Sequence, residues 1–122
     1  MNTTKYHKEV GFEKGAEEAI KQVFASFQSL RYTRHAMTQT VQDRYGIIPV
    51  CKVSDLQDAE IFEYTKTDGI LQKVAIRVSN LSKDLDHCYS VSVDGNVITC
   101  WTNKKDDVHH TLDRKQYEKV NR

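Results

Sequence analysis

The residues with the clearest capacity for acid–base chemistry lie near the end of the chain, within residues 101–113. His109, His110 and Thr111 are consecutive there, and Lys105 is one of several nearby cations. Histidine titrates near neutral pH and can act as a general acid or base, and a cation can hold a phosphate. The same residues also fit a solvated turn that leads into a terminal helix.

A second candidate group lies on a predicted helix at residues 33–45, with His35 near its start and Arg44 near its end. Nine residues are about two and a half helical turns, so the two side chains lie on different sides of the helix. They could still line one groove from different angles. Alternatively, His35 packs at the helix surface or against the sheet, and Arg44 stabilises the negative end of the helix dipole.

Metal and thiol chemistry are not indicated by the spacing. Asp106 and His110 belong to a cluster of possible ligands, but no spacing matches a zinc signature. His87 and Cys88 are adjacent in a predicted strand, so they lie on opposite sheet faces, which is wrong for a base and its nucleophile. The three cysteines form an odd set without a CxxC motif, which is typical of free thiols in a reducing compartment. We therefore predict no metal, no cofactor and a cytoplasmic location.

Two helices are predicted to precede the strands and to position these side chains. In residues 15–30 the apolar side chains follow helical spacing, and they are Ala16, Ala19, Ile20, Val23, Phe24 and Phe27. In residues 33–45 Thr33 is a good N-cap, because its hydroxyl can accept a free backbone N–H of the first turn. The apolar stripe of this second helix is weaker and consists of Ala36, Met37, Thr40, Val41 and Arg44.

Residues 50–58 are ambiguous and could start one helical turn at residues 54–56. Beyond them the hydrophobic period changes to two, which predicts strands. The predicted strands are residues 61–65, 71–79, 87–93 and 97–102. Asp94-Gly95 predicts a tight type I′ hairpin turn, which needs positive φ at both residues. The order predicts an α+β fold in which N-terminal helices pack on a four-stranded antiparallel meander sheet. Residues 1–122 form one predicted domain, with residues 1–10 as a flexible tail and a short helix at residues 113–120.

The charge balance limits the function classes. The chain has 122 residues, with 18 Lys and Arg against 17 Asp and Glu, which argues against binding nucleic acid through bulk positive charge. A local basic site remains open, because Arg31, Arg34 and Arg44 fall in the same segment as His35. No apolar run approaches the roughly 18 residues of a membrane-spanning helix, so no membrane partner is expected.

Three short motifs together resemble a known group of proteins. Residues 32–36 (YTRHA) followed by residues 43–47 (DRYGI) resemble a helix motif of small domains in the barnase–EndoU–colicin–RelE ribonuclease-like group, of phage or mobile-element type. Residues 89–101 (YSVSVDGNVITCW) are similar to the closing hairpin of that group. The tail from residue 103 to 117 resembles a variant of its ending. The resemblance spans about residues 30–117 and implies the same helix-then-sheet order that the periodicity predicts.

The resemblance implies RNA cleavage without a metal, in which the ribose 2′-OH attacks the adjacent phosphate. Such a reaction needs a base, an acid and a cation or donor for the developing phosphorane charge. By position, the implied catalytic residues are His35, Arg44, His110 and Thr111. The implied substrate-binding residues are Arg34, Lys105, Thr99 and Trp101. The expected activity is that of a toxin-like or phage-encoded endoribonuclease.

One departure from the family pattern motivates a second hypothesis. The family arginine four residues after the histidine is Gln39 in this chain, which keeps a hydrogen-bond donor but loses the charge. The alternative is therefore an inactive member of the fold that binds a protein, either an antitoxin or a host or defence factor that it inhibits. A positive groove joining His35, Arg44 and His110 would favour the enzyme. A flat, exposed apolar patch would favour the protein partner.

Overall fold

The computed structural model describes residues 8–105, which form an α+β fold with three α-helices and one six-stranded mixed sheet. A single 3₁₀ turn, Lys14–Ala16, leads into the first α-helix. The elements, in chain order, are β1 (Lys8–Gly11), α1 (Glu17–Ala25), β2 (Arg31–Tyr32), α2 (Arg34–Gln42), α3 (Val53–Asp58), β3 (Glu60–Thr67), β4 (Ile70–Val78), β5 (Leu85–Ser92) and β6 (Asn96–Lys104). The strand order in the sheet is β1-β3-β4-β5-β6-β2.

The α+β class is confirmed, but the prediction of a four-stranded sheet was wrong. Strands β3 to β6 pair antiparallel with their neighbours in sequence, as a meander does. Two short strands extend this meander at its edges: β1 pairs antiparallel with β3, and β2 pairs parallel with β6. A strand of two or four residues is too short to show a period of two, so neither strand has a pattern in the sequence. Residues 8–10, expected in a tail, belong to β1.

The two predicted helices form, but both are shorter than their patterns. Thr33 caps α2 as predicted, because its hydroxyl oxygen accepts the N–H of Ala36 at 3.1 Å. The predicted apolar stripe of α2 was wrong for Met37 and Val41, which are exposed, and only Ala36 is buried in this helix. The predicted terminal helix at residues 113–120 lies outside the described residues.

The two tight hairpins differ from each other in their turns. Asp68 and Gly69, between β3 and β4, both have positive φ, at 53° and 80°, as a type I′ turn requires. At the predicted type I′ turn only Gly95 has positive φ, so that prediction was wrong. The loop between β5 and β6 has three residues, ending in Gly95, and the Gly95 N–H donates to the Ser92 carbonyl. A three-residue loop with a left-handed last residue is the next most common hairpin type after the two-residue turns.

The main hydrophobic core lies between the helices and one face of the sheet. Ile20, Phe24, Ala36 and Leu56 come from the helices and pack against strand residues such as Ile76. A smaller cluster of Phe62, Ala75, Cys88 and Trp101 lies on the opposite sheet face. Because side chains alternate along a strand, this arrangement fixes which functional candidates can share a site. Within the described chain, no helix reaches the length and apolarity that a bilayer span requires.

Candidate functional site

The helix α2 carries His35 near one end and leads to Arg44 just beyond the other. Both side chains are exposed, and so is Arg34. The helical rise from His35 to Gln42 alone is about 10 Å, at about 1.5 Å per residue. The guanidinium of Arg44 instead lies 4.8 Å from the ring centroid of Tyr45. The structure therefore places His35 and Arg44 in the helical layer, on one side of the sheet, but does not bring their side chains together.

Gln39 ties α2 to strand β6. Its side-chain oxygen accepts two hydrogen bonds, from the Thr99 hydroxyl at 2.5 Å and from the Cys100 N–H at 2.9 Å. An arginine has donors only and could accept neither bond. Gln39, which departs from the motif that this helix resembles, therefore joins α2 to β6, and its partner Thr99 is a predicted substrate contact.

Two other predicted substrate contacts lie on the opposite sheet face. Trp101 packs on Phe62, with ring centroids 6.3 Å apart in an edge-to-face arrangement. The ammonium of Lys105 donates to the carbonyl of Ser79 and to Asp86 at 3.0 Å. Both side chains are separated from α2 by the sheet itself. The structure thus divides the predicted substrate-binding residues between two faces.

Asp86 is the centre of an ion network on that opposite face. Its carboxylate is 5% exposed and accepts hydrogen bonds from Arg77 at 2.6 Å and from Lys105. Burial alone would raise the pKa of Asp86, but hydrogen bonds from Lys105, Ser79 and Arg77 outweigh it and hold the pKa below its ordinary value. Arg77 and Lys105 both pair with this carboxylate, so neither is a free cation that could bind a phosphate.

His87 is the buried histidine of the described residues. Its Nδ1 lies 3.2 Å from the Thr102 hydroxyl, and the residue is 3% exposed. Burial lowers the pKa of His87, and the charges of Asp43 and Asp86 only partly oppose this effect. His87 is therefore a buried residue whose side chain is neutral at physiological pH.

An exposed apolar patch, which we name the α2 patch, lies beside the predicted catalytic helix. It consists of Met37, Val41, Ile47 and Val50, which are 60%, 65%, 77% and 63% exposed. Met37 and Val41 are four residues apart on α2 and so lie on the same side of the helix. The Ile48 N–H donates to the Thr40 carbonyl at 2.9 Å, which brings the following loop against the last turn of α2.

Two hydrogen bonds with tyrosine side chains anchor the loop that carries Ile47 and Val50. The Tyr89 hydroxyl donates to the Pro49 carbonyl at 2.7 Å. The Cys51 N–H donates to the Tyr32 hydroxyl, also at 2.7 Å. Ile48 and Cys51 are buried, whereas their neighbours Ile47 and Val50 point outward. Within the described residues, the loop part of the patch is therefore anchored by these two hydrogen bonds.

The charged surroundings of the α2 patch have one dominant sign. Between residues 31 and 50 the chain carries three arginines, His35 and a single carboxylate, Asp43. Asp43 is half-buried and accepts the N–H of Tyr45 at 3.1 Å. The α2 patch thus combines aliphatic side chains with a basic rim. Sequence reasoning identified the cations but missed the patch, because helical spacing alone assigned Met37 and Val41 to the core.

Metal and thiol chemistry have no support within residues 8–105. No group of three or more His, Cys, Asp or Glu side chains there could hold a metal ion. Burial raises the pKa of Cys51 and Cys88 to about 12 and that of Cys100 to about 11. All three buried thiols are therefore protonated at neutral pH and are poor nucleophiles. The predicted catalytic residues His110 and Thr111 lie outside the described residues.

The structure therefore brings together an aliphatic patch, an exposed histidine and a basic rim on one layer, and an ion network on the other. Comparison of the chain with models of protein families, with curated proteins and with solved structures finds no match in any of the three.

Proposed function

We propose that this protein is a binding protein whose α2 patch docks into an apolar groove, rimmed by acidic residues, on a partner protein. The observation that carries this proposal is the exposure of four aliphatic side chains on one anchored surface. Exposed apolar groups grouped in this way mark interaction sites in soluble domains.

The composition of the patch favours a protein partner over RNA. RNA-binding surfaces stack bases on aromatic side chains or on arginine planes. Met37, Val41, Ile47 and Val50 are aliphatic and offer neither. An apolar groove, in contrast, takes the apolar side chains of a helix at spacings of three, four and seven residues. Met37 and Val41 are apolar and four residues apart on α2, and Arg34 lies three residues before Met37 on the same side of the helix.

The charges favour an acidic partner. Arg34 and Arg44 are exposed, and α2 itself contains no Asp or Glu. Complementary charge at a rim speeds association and disfavours partners of the same sign. Because the loop is held by Tyr32 and Tyr89, the patch pays little ordering entropy on binding.

A displayed library of small folded domains with a randomised surface groove tests this proposal. We expect enrichment of grooves that combine Asp or Glu with Leu, Ile or Phe. The double variant Val41→Asp/Ile47→Asp should bind them at least tenfold more weakly, since buried anchors dominate interface energies. The matched control is Ile70→Asp, because Ile70 is 66% exposed but lies at the β3–β4 hairpin, and it should bind like the wild type. Enrichment of basic or wholly polar grooves, or equal binding by the double variant, would refute the proposal.

RNA cleavage stays a prediction that the same protein preparation can test. Its motivation is the exposed His35 beside Arg34, with His110 as the second acid–base group. A fluorescent RNA incubated in EDTA should be cleaved by the wild type and not by His35→Ala or His110→Ala. Cleavage that all three proteins perform equally, or that none performs, would contradict it.

A further inference from the structure

A cleft of about 240 Å³ lies between α1 and the β3–β4 hairpin, away from the α2 patch. One wall consists of Ala16, at the end of the 3₁₀ turn, and of Ala19, Ile20 and Val23 on α1. The other wall is formed by strand residues that include Tyr64 and Leu71. Ala16 and Ala19 give the first wall two short side chains.

Tyr64, which lines the cleft, carries a buried hydroxyl that is unpaired within the part of the chain that the structure describes. Tyr64 is 1% exposed, and its hydroxyl has no hydrogen-bond partner among residues 8–105. A buried hydroxyl without a partner costs free energy, so such groups are rare in native structures. Burial, with smaller contributions from Glu13 and Glu9, raises the pKa of Tyr64. The phenol therefore keeps its proton and offers a donor.

Lys66 supplies a second donor beside the first. Its ammonium lies 4.8 Å from the ring centroid of Tyr64, and the residue lines the same cleft. Glu9 and Glu13 are exposed, so water and salt weaken their repulsion of an anion. The cleft is thus apolar along most of its wall and has a cation and a phenol donor on one side.

We propose that this cleft binds a small monocarboxylate with an aliphatic body. The carboxylate would accept hydrogen bonds from Tyr64 and Lys66, and the body would lie against Ala19 and Leu71. At about 30 Å³ per water-sized group, 240 Å³ holds about eight non-hydrogen atoms. Hexanoate has this size, and it combines the acceptor with the apolar body that the two sides of the cleft require.

Three probes separate the contributions of head and body. Hexanoate, 1-hexanol and acetate are titrated into the full chain and followed by amide chemical shifts. We expect hexanoate to bind with millimolar affinity and to shift amides of α1 and of residues 64–71. Hexanol should bind about tenfold more weakly, and acetate should give no saturable shifts. Equal affinity of hexanoate and hexanol, or saturable shifts confined to other regions, would overturn the proposal.

Variants then test the cleft itself. Ala19→Phe should fill the space and abolish hexanoate binding, and a circular-dichroism melt checks that it still folds. Lys66→Met should weaken hexanoate about tenfold without changing hexanol, and Tyr64→Phe should act in the same direction. Lys73→Met is the matched control, since Lys73 lies on β4 but does not line the cleft. Undiminished hexanoate binding by a folded Ala19→Phe, or equal losses in Lys66→Met and Lys73→Met, would refute the assignment.

Discussion

Replacing Lys21 by methionine should destabilise the fold more than any other substitution of an exposed-face lysine. The Lys21 ammonium on α1 donates three hydrogen bonds to backbone carbonyls at the end of α3. The acceptors are Leu56 and Gln57, each at 2.6 Å, and Ala59 at 2.7 Å. The last carbonyls of a helix have no partner within it, and a cation there also opposes the negative end of the helix dipole.

The expected loss follows from these three contacts. A hydrogen bond to a charged group contributes about 1.5–3 kcal/mol. Two of the three acceptors are partly shielded from water and the third is exposed, and all three share one ammonium. The contributions are therefore not additive, and we expect Lys21→Met to lower the free energy of unfolding by about 2–3 kcal/mol.

Urea denaturation followed by circular dichroism measures this loss. Lys83→Met is the matched control, because Lys83 is exposed in the loop before β5, and it should change the free energy of unfolding by less than about 0.5 kcal/mol. Native-state hydrogen exchange should locate the effect in α3, whose amides should lose protection first. Equal midpoints for the two variants, or an exchange change spread evenly over the sheet, would refute the reasoning.

Substitutions at three further positions probe groups that the fold has paired. Asp86→Asn should cost about 3 kcal/mol in urea denaturation, because it removes the carboxylate at 2.6 Å from the partly buried Arg77 and leaves it only Glu60, at 4.0 Å; a loss below 1 kcal/mol would contradict this. In the wild type this contribution is present above the ordinary Asp pKa and is lost as pH falls through the lowered folded-state value, so it should persist at pH 5. Because the pKa of His87 is lowered on folding, the unfolded chain takes up the proton first, and stability should fall as pH drops below about 6.5. His87→Gln should flatten the slope of stability against pH just below 6.5, and an unchanged slope there would exclude His87 as its cause. Gln39→Glu keeps the acceptor for Thr99 and should leave stability nearly unchanged, whereas Gln39→Arg should lose about 1–3 kcal/mol; the reverse order would count against the acceptor role.

Elements that have a local sequence signal, such as a helix cap, were predictable. Elements that form only because they pair with a distant strand were not. Thr33 predicted the start of α2, because an N-cap hydrogen bond involves only the cap and the three residues that follow it. The strand β2 has two residues and exists only because β6 lies beside it. Lys21 belongs to the polar side of its helix in sequence, but its partners are more than thirty residues away. Such contacts depend on tertiary geometry that no local period encodes.

The candidate site follows the same division. The sequence indicated His35 and the arginines as functional candidates, and the structure places them on the surface of one layer. It could not indicate that Trp101 and Lys105 lie on the other face, because the face of a strand residue depends on register and on which side the helices pack. The helical pattern likewise could not reveal that α2 turns Met37 and Val41 outward. The sequence shows that Gln39 stands where the motif has an arginine. Only the contact with β6 shows what this difference does.

The separation of the two faces restricts which chemistry the described residues can share. A phosphate bound near His35 on α2 cannot also be held by Lys105, because the sheet lies between them and Lys105 is committed to Asp86. An RNA site on the α2 layer would therefore have to draw its second acid–base group from beyond Lys105. A docking site on the same layer needs no further residue, since the aliphatic side chains and their basic rim are already assembled. We infer from this difference that protein binding needs fewer residues than RNA cleavage does, and that the α2 patch is the first surface to test.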